Sequence, residues 1–428
     1  MPLYLLTLTT VWREKETENE SIFAQLNREL DEHGLSEEEK KEILRELLKK
    51  YALLILESAN IAVKRSVHAK GAFSPQINVE DIRLAAEIVG VTNVKPEIIK
   101  KARDEAAQWL LKEGPDGTWG WGSKFDPQDL EGSIVKTWST AMAIKSLLRA
   151  KISPEPHQIK KGVVWLLENR ISEPHSCWAR LPPIYKDRQY GDCLKPNTYE
   201  TSCVLLALLE AKAKEVSSCD KSIIEDGIEN LKSYQMEEGY WTVYLTDESQ
   251  HYDKANIGAT SLALTAISRA RKNGIRVDGL EKAIEKTAEW LRNQQNPHSG
   301  EWSEIGQEPS NTAKTCDAIR ALIEIGDQKN KKAINRGIHW LLRNQGVEED
   351  GRGWGWRKTS ENETIIASNV ENTAFAITVL LRADKKPNSA SIQTGLRWLF
   401  AHKKGDNWGE YTPRVIIALS EYLTRLGN

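Results

Sequence analysis

A helix ending in an apolar-Trp-Leu pattern recurs along this chain. It stands as Gln108-Trp109-Leu110-Leu111, Val164-Trp165-Leu166-Leu167, Glu289-Trp290-Leu291, His339-Trp340-Leu341-Leu342 and Arg397-Trp398-Leu399-Phe400, with a sixth copy, Glu229-Asn230-Leu231, that has lost its Trp. Each copy runs into a turn that ends in another tryptophan: Trp119, Trp178, Trp241, Trp302, Trp354 and Trp408. A second helix of small and aliphatic residues follows each turn, opening at Thr140, Thr201, Thr260, Thr315, Thr373 and Val415. Such self-similarity marks a repeat architecture, in which each unit buries its apolar face only against its neighbours.

The spacings from Trp109 through Trp165, Leu231, Trp290 and Trp340 to Trp398 are 56, 66, 59, 50 and 58 residues. Two helices of about 15 residues plus loops fill such a unit. The small-residue helices can be approached closely on most faces, which places them inside, with the amphipathic Trp-Leu helices outside. Six hairpins can close on themselves, so neither end needs the polar cap of an open solenoid. The expected fold class is all-α: a six-hairpin (α/α)6 toroid over residues 95–428, preceded by an N-terminal helical extension over residues 1–94. Within that extension Ser36-Glu37-Glu38-Glu39 is a capping signal, followed by Ile43, Leu44, Leu47, Leu48, Tyr51 and Leu54 at helical spacing.

Of the 428 residues, 40% are hydrophobic and 28% charged, a balance that fits a folded protein with a solvated surface. The 59 basic and 61 acidic residues leave a formal charge of −2, so no global field favours nucleic acid. The apolar stretch from Pro2 to Thr10 is too short to span a bilayer, and no other run approaches about 18 apolar residues. Five cysteines without tight spacing fit a reducing compartment, and a cytoplasmic location is the expectation.

The helix, its Gln-rich end, the Gly turn and the Trp resemble the QW repeats of squalene and oxidosqualene cyclases. The nearest matches are Lys286-Thr287-Ala288-Glu289-Trp290-Leu291-Arg292-Asn293-Gln294, continuing to Gly300-Glu301-Trp302, and Arg336 to Gln345, continuing to Trp354. The resemblance covers roughly residues 95–428. It implies an α/α toroid of the kind also found in protein prenyltransferase β subunits and thioester-containing complement domains.

Fold alone does not fix activity, so each family's chemistry has to be sought at matching positions. Class II terpene cyclases protonate an alkene or epoxide with the central acid of an Asp-x-Asp-Asp motif at the start of an inner helix. The matching string here is Asn369-Val370-Glu371-Asn372, with Glu371 in place of the central acid and amides on either side. Asn369 reads equally as a helix cap, with Glu371 in the first turn where the helix dipole favours negative charge. Of the 15 tryptophans only Trp12 and Trp138 lie outside the repeat scaffold, which leaves few aromatic faces for a carbocation. Prenyltransferases hold zinc with Asp, Cys and His. Cys203 and Cys316 lie near inner-helix starts without such companions, and His175, Cys177, Cys193 and Cys203 form only a loose cluster, so neither metal nor other cofactor is expected. The Cys-Gly-Glu-Gln string of thioester proteins is absent.

Parallel inner helices would gather six N-termini on one face, where unpaired N–H groups give a positive potential. The residues there are polar and mixed in charge: Lys136, Glu200, Lys254, Asn256, Lys314, Asn369 and Arg414. The stretches Ala179 to Tyr190, with Pro182-Pro183, and Val243 to Asp253 extend two hairpins. The sequence therefore points to a toroidal ligand- or protein-binding module with a polar, partly basic rim and without the family's chemistry. Its partner would be a hydrophobic or anionic small molecule, or a protein or peptide. The alternative is a class II terpene-cyclase-like enzyme acting on an isoprenoid, with Glu371 as proton donor.

Overall fold

In the computed structural model the described residues are 93–119, 136–152, 157–172, 175–183, 191–216, 220–245, 254–303, 312–346, 353–359 and 364–427. They belong to one compact unit, Asn93–Asn428. The helices expected before residue 93 lie outside them, as do Trp12 and Cys219.

Among the described residues twelve α-helices alternate between two concentric layers. The outer ones are α1 (Pro96–Glu113), α3 (His157–Glu168), α5 (Lys221–Ser233), α7 (Leu280–Asn293), α9 (Lys331–Arg343) and α11 (Ala390–Ala401). The inner ones are α2 (Thr137–Arg149), α4 (Thr198–Ala213), α6 (Ile257–Lys272), α8 (Thr312–Ile325), α10 (Val370–Arg382) and α12 (Thr412–Arg425). Each inner helix packs on the next, and α12 packs back on α1 and α2, so the ring is closed. Lys403, just beyond α11, bonds Glu105 of α1 at 2.7 Å and helps fasten the seam. The inner helices are buried on nearly every face, as small and aliphatic residues allow: in α4 all but four residues are buried.

One tryptophan clasp repeats in all six hairpins. The indole N–H of each turn Trp donates back to a leucine carbonyl near the end of the outer helix before it. The pairs are Trp119 with Leu110, Trp178 with Leu166, Trp241 with Leu231, Trp302 with Leu291, Trp354 with Leu341 and Trp408 with Leu399, at 2.6 to 2.9 Å. The main-chain N–H of the same Trp donates forward to a threonine hydroxyl of the following inner helix: Thr140, Thr201, Thr260, Thr315, Thr373 and Thr412. In the first five copies that hydroxyl also donates to the Trp carbonyl. One buried indole thus ties an outer helix to an inner one with every polar group satisfied, which is what makes a buried Trp tolerable. The sixth inner helix begins at Thr412, three residues ahead of the Val415 that sequence similarity picks out, and Thr412 takes the clasp role.

Turn glycines let adjacent units close up. Gly239 has φ of 101°, and a Cβ there would lie 2.8 Å from the Lys286 carbonyl of the next outer helix, so only Gly fits both the dihedral and the approach. A small addition to the helical expectation is an antiparallel pair, β1 (Gly355–Thr359) and β2 (Thr364–Ser368), with Gly355 opposite Ser368 and Thr359 opposite Thr364. It stands between Trp354 and α10, where Thr364, Ile365 and Ile366 supply β-branched residues.

Connections differ sharply between the two ends of the ring. Those entering the N-termini of inner helices run from ten residues (402–411) to twenty-nine (169–197), whereas those leaving their C-termini never exceed seven, as at 150–156.

Candidate functional site

Counting from each clasp threonine aligns the six inner helices. The residues five positions on are Lys145, Leu206, Thr265, Arg320, Thr378 and Ile417. All six line a cavity of about 30 Å³ on the ring axis, together with Met142, Phe375 and Arg414 from one side and Arg269 and Arg382 from the other. The residues nine positions on are Arg149, Glu210, Arg269, Glu324, Arg382 and Glu421, so charge alternates in sign from one helix to the next around the ring. Arg149 bonds Glu210 at 2.7 Å, Glu210 also lies 3.7 Å from Arg269, Arg269 pairs with Glu324, and Arg382 bonds Glu421 at 3.0 Å. These side chains are 12 to 27% exposed. These pairs form two sets, Arg149–Glu210–Arg269–Glu324 and Arg382–Glu421, at the C-terminal ends of the inner helices.

The electrostatics follow from burial and pairing. Burial raises the Glu324 carboxyl, but Arg269 beside it, through charge and a hydrogen bond, outweighs this and holds it at about 2. Burial pushes Arg320 down to about 10, against the pull of Asp317, its partner at 2.7 Å. Lys145 is 8% exposed, and burial drives its ammonium well below the ordinary value, with Arg320, Arg269 and Arg149 adding like charge against the opposing effect of Cys203. The Phe375 ring lies between two guanidinium groups, with Arg320 at 4.9 Å and Arg414 at 4.5 Å from its centroid.

At the opposite end the rim residues expected from sequence come together in small linked sets. Asn197, Asn256 and Asn369 cap α4, α6 and α10 by accepting the N–H of Glu200, Ala259 and Asn372 at 3.0, 2.8 and 2.8 Å. Lys314 Nζ donates to the Tyr199 hydroxyl at 2.8 Å, which donates in turn to Asn256 Oδ1 at 2.7 Å. Gly258 lies directly beneath this chain: a Cβ there would meet Tyr199 Oη at 2.3 Å and Lys314 Nζ at 2.5 Å. Arg414 Nε bonds Glu371 at 3.2 Å and its guanidinium lies 5.8 Å from the Trp138 ring centroid. Glu200 is buried and burial lifts its carboxyl to about 6, against the opposing effects of Arg180 and Asn197.

Lys136, expected as a rim cation, is buried at the N-cap of α2, because its backbone N–H is drawn in to the Trp119 carbonyl at 3.2 Å. Lys314 is bonded to the neutral Tyr199 hydroxyl, Arg414 is ion-paired with Glu371, and Lys254 is the exposed member of the set. Glu371 is engaged in an ion pair with Arg414.

Among the described residues no three His, Cys, Asp or Glu side chains converge as metal ligands. His175 is taken by Asp226 at 2.8 Å, and burial first, then Asp226, pushes the Cys177 thiol up to about 11. Cys203 and Cys316 are buried in the ring as free thiols. No described helix is long and apolar enough to cross a membrane.

Sequence reasoning missed the lumen charges altogether. The signal was present as a constant offset of nine residues from each threonine, but it acquires meaning only once the six helices are known to surround one axis.

The chain is 23% identical over 326 residues to a dammaradiene synthase of Dryopteris crassirhizoma, covering 67% of this chain and 47% of the relative. It is 22% identical over 312 residues to a squalene-hopene cyclase of Bradyrhizobium diazoefficiens, covering 66% and 46%. It therefore spans less than half the length of these curated relatives. Among solved structures it is similar to the type II terpene cyclase MstE of Scytonema, solved with geranylgeranyl dihydroxybenzoate, with a TM-score of 0.53 at 14% identity over 77% of this chain and 99% of that one. A cellobiose 2-epimerase of Bacillus thermoamylovorans gives 0.60 at 12% identity, over 77% of this chain and all of that one. Proteins named for such different chemistries share the toroid, so the likeness to structures speaks of fold alone. The model of the squalene-hopene cyclase C-terminal domain family, in contrast, matches residues 134–414, which run from just before α2 into α12 and make up more than half of the sequence, and the chain belongs to that family.

Proposed function

We propose that this chain is a binding toroid whose contact face is the N-terminal end of the inner helices, and that it does not cyclise an isoprenoid in its own lumen. The observation that carries this reading is the filling of the lumen. A pocket for a small organic ligand has roughly 300 to 1,000 Å³ and mostly apolar walls. Among the described residues the cavity in mid-lumen has about 30 Å³ and is bordered by Lys145, Arg269, Arg320, Arg382 and Arg414. An isoprenoid would have to displace a stack of buried and half-buried charges, four of them ion-paired, which is costly.

Support for the location comes from the loops. Every long connection enters at the N-terminal face, and loops held on a rigid scaffold are where recognition residues concentrate. The face also offers Lys254 and the Lys314–Tyr199–Asn256 chain as polar contacts. A hydrophobic or anionic small molecule, or a peptide, fits this chemistry. Membership of the cyclase family and the carboxylate of Glu371 at the start of α10 favour the second reading, an isoprenoid cyclase.

The test has two arms. Purified protein is incubated with squalene and with prenyl diphosphates, and extracts are analysed for cyclised products. None is expected, and a product lost in Glu371→Gln would overturn the reading. Affinity capture then compares wild type with Lys254→Glu/Lys314→Glu on the proposed face and with Lys272→Glu at the other end. A partner lost only in the first variant is expected; one lost only in Lys272→Glu would refute the assigned face.

A further inference from the structure

The charges around the lumen do not balance. Five basic side chains border its cavity, Lys145, Arg269, Arg320, Arg382 and Arg414, and Arg149 stands in the ion-paired layer beside them. Five acids answer them, one to each arginine: Glu210 to Arg149, Glu324 to Arg269, Asp317 to Arg320, Glu421 to Arg382 and Glu371 to Arg414. Lys145 is left over. It is 8% exposed, and among the described residues nothing hydrogen-bonds or ion-pairs with its Nζ.

Its neighbours around the cavity sharpen the imbalance. Arg269, Arg320, Arg382 and Arg414 border the same space, and the other walls are Met142, Leu206, Thr265, Phe375, Thr378 and Ile417, none of them anionic. The hydroxyls of Thr265 and Thr378 already donate to Ser261 and Ala374 carbonyls within their own helices. Arg320 Nε is buried without a hydrogen-bond partner, as is Arg149 Nε. An ammonium buried without a partner costs several kcal/mol, a cost relieved either by loss of its proton or by a compensating negative charge.

We propose that the middle of the lumen binds one small inorganic anion, held by the Lys145 ammonium and the Arg320 guanidinium. The cavity sets its size: about 30 Å³ suits a halide and admits a compact oxyanion only if side chains give way. The apolar walls set its number, because a second anion would have no uncompensated cation to face. This site is separate from the rim assigned above and stands whether or not that assignment does. The bound ion completes the core of the ring, so it acts on stability.

Anion-linked stability tests this. Thermal unfolding of the full chain is followed in sodium chloride, sodium sulfate and sodium phosphate, each against sodium gluconate at matched ionic strength, gluconate being too large for the cavity. For a ligand that binds only the folded state, the wild-type midpoint should climb by roughly 2 °C per tenfold rise of the anion that fits. Chloride acting alone identifies a halide site; sulfate or phosphate acting more strongly identifies an oxyanion site. Lys145→Met should fold and show no slope. Should Lys145→Met not fold, Thr265→Asp supplies the counter-charge within the cavity wall and should lose the anion dependence, while its neutral control Thr265→Asn keeps it. Equal midpoints in every salt for wild type would mean that Lys145 is accommodated as a neutral amine, and the proposal would fall. A wild-type slope retained in Lys145→Met or in Thr265→Asp would overturn it equally.

Discussion

Arg414 Nε donates to the Glu371 carboxylate across 3.2 Å, joining the first turns of α12 and α10. Glu371 is the acid that cyclase resemblance singles out, and this geometry makes it an electrostatic tie between neighbouring helices. With its side chain 35% exposed, solvent screens the pair. Glu371→Gln is therefore expected to cost no more than about 1 kcal/mol, measured by urea unfolding at neutral pH. A loss above about 3 kcal/mol would mean the pair is a pillar of the ring.

The Arg–Glu ring gives a pH signature. Glu324 is held at about 2, below its ordinary 4.5, so its contribution is fully present above about pH 4.5 and is lost as pH falls towards 2. Glu324→Gln should be less stable than wild type by about 3 kcal/mol at pH 7, and the gap should close on acidification. A gap that stays constant from pH 7 down to pH 3 would contradict the assignment.

Glu200 runs the other way. Its carboxyl is lifted to about 6 by burial, so the charged form burdens the fold above that pH, and the burden disappears as pH falls below 4.5. Glu200→Gln should be more stable than wild type by about 2 kcal/mol at pH 7.5, with the two converging near pH 4.5. Denaturant titrations at four pH values between those limits check the sign.

Thr260 accepts the Trp241 main-chain N–H at 2.9 Å and donates to the Trp241 carbonyl at 3.2 Å, with both residues fully buried. Thr260→Val keeps the shape but leaves those groups without the hydroxyl, and about 1–3 kcal/mol of stability should be lost. Thr260→Ser, which retains the oxygen, should lose less. Calorimetry on the two variants discriminates polar from packing loss.

The six-hairpin ring was legible because its Trp and Thr landmarks recur in sequence at positions that each need local partners only. Trp302, for example, finds Leu291 behind it and Thr315 ahead of it within one repeat. The lumen was not legible in the same way. Arg269 and Glu324 stand 55 residues apart and look like ordinary polar ends of two helices. Their partnership exists only where the neighbouring inner helices α6 and α8 pack side by side. Helix starts drew attention to Lys136 as a rim cation, yet the clasp backbone draws that residue inwards. Periodicity reports which face of a helix is apolar; it does not report which charged residue will meet another from a different repeat.

The alternation of Arg149, Glu210, Arg269, Glu324, Arg382 and Glu421 carries a rule of parity. Signs can alternate around a closed circle only when its members are even in number. Losing or duplicating a single hairpin would set two arginines or two glutamates side by side in a half-buried layer, whatever the quality of the remaining packing. This toroid can therefore change its girth without electrostatic conflict only by two hairpins at a time, and its charge pattern acts as a counter that rejects rings of five or seven.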